Sequence, residues 1–516
     1  MADTSVVGSP EVEAFGIALE EAARASESSA SRFVEPAKGT LSRTLSSRHH
    51  LIFGRRGSGK TSLLQKARAD LLANRRPNAF IDMEKFKAHS YPDVLISVLI
   101  ETFENVQGWL EEGAVAPASK KSFWQRVKPT RKPLKRSESE LLAAELGGHI
   151  TELHALLHAQ DGADIEILHR GERATHDSLS GGIGASKGPV RAHIDATSEM
   201  SQSQLRETKE SLRRSKIDHL QRRVLDYQRT LKRIVKLSGQ DGFVLLDDMY
   251  YIRRSDQPDV LDYFHRLFKG SGLWLKVGTI RHRSQWYRHG DPPIGMKLGD
   301  DVDEIDLDLT LEKYQTAKAF LIQIASEIAA ESDVSISNLI NEGARDRMVL
   351  ASGGVARDFL SILRRSLAIA AEQSHARVDV ASVNQAAGEH ESTKRDEFRR
   401  DVIDGQDELE TSFEKIKDFC FERKMNCFTV EKDLAVPEYE KIKELVDLRL
   451  VHAINSRVTV FHRTGKIYEA YMLDLSQYAG ERKRRNMQML EFWKKDDEEK
   501  LRGASLIYLE AAVAGS

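Results

Sequence analysis

The sequence is poor in cysteine, with 2 in 516 residues, and it carries almost no net charge, with 77 Lys and Arg against 79 Asp and Glu. The two thiols, Cys420 and Cys427, exclude a disulfide scaffold, and their separation matches no common zinc spacing. The expectation is two reduced, buried thiols. A net charge near zero excludes a global field that favours nucleic acid or acidic lipid, so any such contact must come from a local patch. No run of about 18 apolar residues occurs, as a membrane-crossing helix would need. The first 25 residues, "MADTSVVGSPEVEAFGIALEEAARA", lack the basic start and apolar core of a leader. These absences are read as a soluble, cytoplasmic protein that does not engage membranes.

What is present is alternation. "HLIF", "NAFIDM", "GFVLLDDM", "LWLKVGTIRHR" and "EIDLDLTL" read as short buried strands. "SLLQKARADLLA" and "DVLISVLIETFENVQGWL" between them have helical spacing, the latter through Leu95, Leu99, Phe103, Val106 and Leu110. Strand–helix–strand–helix order with short links predicts a parallel sheet covered on both faces. The predicted organisation is an N-terminal helix and connector over 1–45, an α/β core over 46–309, a helical lid over 310–390, a helix–helix–strand–strand unit over 405–478 and a charged helical tail over 479–516. Residues 391–408 read as a linker or exposed helix. An insertion at about 113–215 is expected to protrude from the core as an α+β segment: a helix over 137–159, two strands from "DIEILHRG" and "GPVRAHIDA", and a long helix from about 200 to 237. That helix carries a heptad-like seam at Ile217, Leu220, Val224, Tyr227, Leu231 and Ile234. Packing within the chain is preferred there over an intermolecular coiled coil, because the seam is short.

Two stretches carry chemistry. Gly54-Arg55-Arg56-Gly57-Ser58-Gly59-Lys60-Thr61, followed by Ser62, fits G-x-x-x-x-G-K-[ST] between a strand and a helix. Glycines let backbone N–H groups wrap an anion without a Cβ in the way, and the helix N-terminus adds its dipole. Lys60 is expected to reach the β and γ phosphates, and the Thr61 hydroxyl to ligate Mg²⁺. "FVLLDD" ends in Asp247 and Asp248 at a strand's C-terminal end, where ligands of parallel sheets bind. Asp247 would hold the metal shell, and Asp248 would orient or deprotonate water. The guanine-reading N-K-x-D pattern is absent, which favours ATP.

These motifs and their order resemble an AAA+-type P-loop ATPase of the origin-recognition initiator branch, with traits of STAND switch ATPases. The resemblance covers residues 46–112 and 239 to about 475. It implies a sheet order 5-1-4-3-2, a helical lid and a following winged-helix domain at 410–475. It also implies a polar sensor at the end of the strand after Walker B, where "LKVGTIRHR" puts Thr279 and Arg281, and a lid arginine, which "SGGVARDFL" puts at Arg357. Departures are the Asp-Asp pair, where most members have Asp-Glu, and "GTIR" where initiators carry asparagine. The shorter second carboxylate suggests slow hydrolysis and a switch more than a motor, and the arginine of "GTIR" resembles the one STAND proteins carry at that strand end. Arg281, Arg283 and Arg288 are the candidates for an arginine finger, each readable equally as a surface or sheet-end residue.

Outside the resemblance, residues 113–136 hold eight Lys or Arg, three Pro and no acid, with Phe123 and Trp124 among them. Such a stretch binds nucleic acid, docks a partner or stays a solvated linker. The candidate recognition segment "PEYEKIKELVDLRL" mixes acids and bases. Arg457, His462, Arg463 and Lys466 in the wing suit phosphate contacts better, and protein contact is preferred for the domain. Two functions stand. One is an ATP-hydrolysing switch or remodeller acting with a partner protein, with homo-oligomerisation as an option. The other is an ATP-dependent DNA-binding initiator or loader. By analogy of fold alone, a bacterial defence or stress system is a natural setting.

Overall fold

The computed structural model describes residues 6–23, 32–114, 136–159, 202–401, 406–479 and 486–510. Both strands expected in the insertion, and the basic stretch around Phe123 and Trp124, lie outside these residues.

Five strands form a parallel sheet: β1 (His50–Phe53), β2 (Asn78–Asp82), β3 (Gly242–Asp247), β4 (Leu273–Thr279) and β5 (Asp303–Asp306), in the order β2-β3-β4-β1-β5. This is the 5-1-4-3-2 order expected from the resemblance. β3 is buried at every position because helices cover both faces, which is why it reads as an unbroken apolar run. α1 (Pro10–Ala22) precedes the sheet, α2 (Lys60–Ala73) follows β1, and α3 (Asp93–Ala114) follows β2.

The insertion's described helices, α4 (Arg136–His158) and α5 (Gln202–Ser238), do not protrude. They pack on α3 and on α6 (Gln257–Phe268) in one apolar cluster, with Leu146 and Leu153 of α4, Leu220, Tyr227, Leu231 and Ile234 of α5, and Phe103 of α3. The α5 seam is thus spent inside the chain. Polar pins fix the pairing: Glu152 accepts from Arg223 (2.7 and 2.8 Å), His219 (2.5 Å) and the Tyr227 hydroxyl (3.2 Å).

The lid comprises α7 (Tyr314–Ala330), α8 (Glu342–Ser352), α9 (Ala356–Glu372) and α10 (Val380–Asp401). α10 takes in residues 391–401 of the stretch expected to be a linker or exposed helix, and its Lys394 is buried. The C-terminal unit is of winged-helix type: α11 (Gln406–Arg423), β6 (Cys427–Glu431), α12 (Pro437–Asp447), then the hairpin β7 (Val451–Val458) and β8 (Tyr468–Leu473). The sequence reading lacks β6, a five-residue segment beside a helix. The expected tail helix is replaced among the described residues by a helical turn, Lys495–Glu498, 3₁₀ turns and β9 (Ile507–Leu509), which pairs parallel to β6. Its aromatics dock instead: Trp493 stacks on Tyr314 of the lid at 4.2 Å. Cys420 and Cys427 are both buried free thiols, and burial pushes the Cys420 thiol up to about 12.

One apolar cluster runs from Val7, in the turn before α1, and Phe15 of α1 through the lid to Leu506 in the tail. The sheet has its own clusters on each face. The lid and the C-terminal unit therefore share a core that the sheet does not.

Candidate nucleotide site

β1 ends at Phe53 and the chain turns through Gly54–Gly59 into α2. Gly57 and Gly59 take φ of 83° and 98°, a region where other residues are strained. A Cβ on Gly54 would lie 2.2 Å from the Ser58 hydroxyl, and one on Gly57 would lie 2.7 Å from the Arg357 Cβ. The loop is a cradle that side chains would fill. Lys60 is buried and donates to the carbonyls of Gly54 (2.8 Å) and Arg55 (3.2 Å). Burial lowers its proton affinity, against the pull of Asp248 and Asp247.

β3 pairs with β2 so that Asp247 lies opposite Asp82. Asp247 is buried and hydrogen-bonded to Thr61, while its Oδ1 has no partner among the described residues. Burial, then the charge of Asp248, pushes its carboxyl up to about 7. Asp248 stands in the left-handed region (φ 55°), and burial raises it as well, opposed by Lys60. A buried carboxylate with an orphan oxygen is costly unless a cation or proton satisfies it. Hard oxygen donors from a hydroxyl and a carboxylate are what Mg²⁺ takes, so Thr61 and Asp247 fit that ion.

A cavity opens over the loop between sheet and lid. Its polar lining includes Arg56, Lys60, Thr61, Ser62, Asp248 and Arg357, and its apolar lining Phe33, Val34, Pro36, Phe320, Ile324 and Leu360. Arg357 opens α9, and its backbone N–H donates to the Gly57 carbonyl at 3.3 Å. The turn before it requires glycines: a Cβ on Gly354 would meet the Leu309 carbonyl oxygen at 2.1 Å, and one on Gly353 the His452 ring at 2.0 Å.

Other sequence-predicted residues lie elsewhere. Arg55 is buried beside the loop and bonds Asp308, the Leu309 carbonyl and the Gly353 carbonyl. Thr279 ends β4, is buried, and exchanges a hydrogen bond with the Ser284 hydroxyl outside the cavity lining. Arg281 lies over the Phe53 ring and pairs with Glu304 at 3.0 Å, so it does not join the cavity. Arg283 lies over the Tyr250 ring, and Arg288 pairs with Asp259 at 3.1 Å. Sequence reasoning missed the apolar lining of the cavity. Its signal is "RFVEP" at 32–36, an apolar interruption in a serine-rich connector. It also missed Tyr250, Tyr251 and Glu84, which line the cavity beside Asp248.

No family model matches this chain, and no curated protein matches it. Among solved structures it is similar to the Aeropyrum pernix ORC1 protein in complex with DNA, at 15% identity, with 93% of each chain covered and a TM-score of 0.31. It is similar to the Aeropyrum pernix ORC2 protein at 10% identity, covering 87% of this chain and 91% of that one, with a TM-score of 0.34. A structure of Drosophila ORC bound to DNA matches at 10% identity over 92% and 93%, with a TM-score of 0.33. The fold assignment rests on strand order and on the loop between β1 and α2.

Proposed function

We propose that the chain binds ATP·Mg²⁺ between sheet and lid and hydrolyses it, acting as a nucleotide-controlled switch or remodelling ATPase with a partner protein. One observation carries this: a single cavity joins a glycine cradle, Lys60, Thr61 bonded to a half-satisfied Asp247, Asp248 and a lid arginine to apolar side chains of the connector and the lid. Mg²⁺ on Thr61 and Asp247 would neutralise phosphate charge. Lys60 and the loop N–H groups would hold the phosphates, and Asp248, with its proton affinity raised by burial, suits it to take a proton from water. Arg357 would report an occupied site to the lid.

The reading as a DNA-dependent initiator gains less support. In the wing, Arg463 and Lys466 both pair with Glu510 of the tail, and Lys466 also with Glu431, so part of the local positive charge is neutralised. A partner protein and a defence or stress setting belong to the proposal and rest on the sequence reading. Steady-state hydrolysis by wild type and Asp248→Ala, with and without duplex DNA at low salt, tests it. Wild type is expected to turn over slowly and indifferently to DNA, and Asp248→Ala to bind ATP while losing about 10²–10⁴ in rate. Stimulation by DNA that is lost in the variant would replace this reading with the initiator.

A further inference from the structure

The loop carries two consecutive arginines with opposite surroundings. Arg55 is 2% exposed and its guanidinium is spent on Asp308 and two backbone carbonyls, riveting the loop to the end of β5 and to the lid. Arg56 lines the cavity, as do Asp248, Tyr250, Tyr251 and Glu84. Its charge acts on the Asp248 carboxylate and on both phenols. Gly57 follows it, and against Gly57 lie the backbone and Cβ of Arg357 from the lid. Arg56 and Arg357 therefore flank one point of the loop, with Lys60 buried in the same wall and Asp248 facing them. Of the three other arginines considered for catalysis, Arg281 is held on Glu304 and Arg288 on Asp259, while Arg283 lies over the ring of the cavity residue Tyr250.

We propose that Arg56 is a catalytic arginine supplied by the chain's own phosphate loop, which with Arg357 grips the terminal phosphate, so that the hydrolytic site is complete within one protein copy. This rests on the reading of the cavity as an ATP site. In the step, the water oxygen bonds to Pγ, the bond from Pγ to the β,γ-bridging oxygen breaks, and its electron pair leaves on ADP. The water proton passes to the Asp248 carboxylate. Charge moves onto the bridging and equatorial oxygens as this happens. A planar, permanently charged guanidinium fixed beside them stabilises that charge without reorganising. A loop position gives this group a short lever from the backbone that holds the phosphates, so it is placed whenever nucleotide is bound. Rate should therefore scale with protein in the first power, with no arginine needed from a neighbouring subunit.

The test uses the full chain and its Arg56→Ala and Arg56→Lys variants. ADP and a non-hydrolysable ATP analogue are titrated calorimetrically, and ATP turnover is followed over a wide dilution series. Added guanidinium ion at low, non-denaturing concentration is the rescue arm. The expected result is constant specific activity of wild type on dilution and a loss of about 10³-fold in turnover for Arg56→Ala. ADP affinity should be nearly unchanged, and guanidinium should restore part of the Ala variant's rate. Arg56→Lys keeps the charge but not the fork and should recover little. Turnover of Arg56→Ala equal to wild type overturns the assignment, as does specific activity that rises in proportion to protein concentration. Failure of wild type to bind either nucleotide is a different result, seen in the titration, and overturns the ATP reading itself.

Discussion

Arg357 and Asp358 are consecutive residues at the start of α9, and they face two regions that handle charge in opposite ways. Arg357 lines the cavity with Asp248, and burial pushes both Asp248 and its neighbour Asp247 upward in proton affinity. Asp358 turns into a closed ionic network between lid and C-terminal unit. It bonds Arg449 at 2.6 Å and lies 3.7 Å from Lys394, which in turn bonds Asp474 at 2.5 Å. His452 Nε2 donates to Asp474 at 2.7 Å, and Arg449 also reaches Glu397. Burial would raise Asp358 too, but Arg449, Lys394 and His390 outweigh it and hold it well below the ordinary range. Lys394 and His452 do the same for Asp474. For Asp247 and Asp248 burial outweighs the nearby cations, whereas for Asp358 and Asp474 the cations of the network outweigh burial. The first condition is what a binding site needs, and the second is what a fixed joint needs.

The comparison can be broken from the network side. Lys394→Met leaves Asp358 and Asp474 without their shared cation and makes them resemble Asp247. Loss of one partner from a buried ionic group costs about 3–5 kcal/mol, so urea unfolding of the variant should show a clearly lower midpoint. An unchanged midpoint would mean that the network contributes no net stability. From the cavity side the sign reverses. Asp247→Asn removes a buried carboxylate with an orphan oxygen and should stabilise the nucleotide-free protein by on the order of 1–2 kcal/mol, while abolishing Mg²⁺-dependent hydrolysis. A thermal melt together with an ATPase assay reads both, and a destabilised variant would contradict the account.

The smallest effect is in pH. Asp358 and Asp474 have folded values below their unfolded one, which is near 3.8. Their stabilisation is full above that pH and drains as pH falls below it, because the unfolded chain then binds more protons. The groups that face them are Arg449, Lys394, His390 and His452, of which Lys394 carries the link between the two. Acid titration of unfolding should therefore show a steeper loss in wild type than in Lys394→Met. Equal slopes would assign acid sensitivity to other carboxylates.

β1 and β3 were legible because each is a short run buried at every position, which leaves no alternation to misread, as in "FVLLD". The phosphate loop was legible because its chemistry is local: glycines at fixed offsets set backbone conformation, whatever packs around them. What escaped depends on partners far off in sequence. Lys394 sits in a polar stretch that looks solvated, and only Asp474 and Asp358, brought in by β8 and α9, explain its burial. Arg281 sits at a strand end that suits a sensor, yet Phe53 and Glu304 take it away from the cavity. β6 and β9 are short strands whose place is set by the sheet they join, and their own composition does not mark them. The apolar lining of the cavity comes from the connector and the lid, which meet only in the fold.

The central claim is that the cavity over Gly54–Thr61 takes ATP with Mg²⁺ and that Lys60 is the residue that holds it. Calorimetric titration of ATP·Mg²⁺ into wild type and Lys60→Ala tests this most directly. The account predicts saturable one-to-one binding by wild type and none measurable by the variant, whose fold is checked by its circular dichroism. Equal binding by a folded Lys60→Ala, or no binding by wild type, would contradict it.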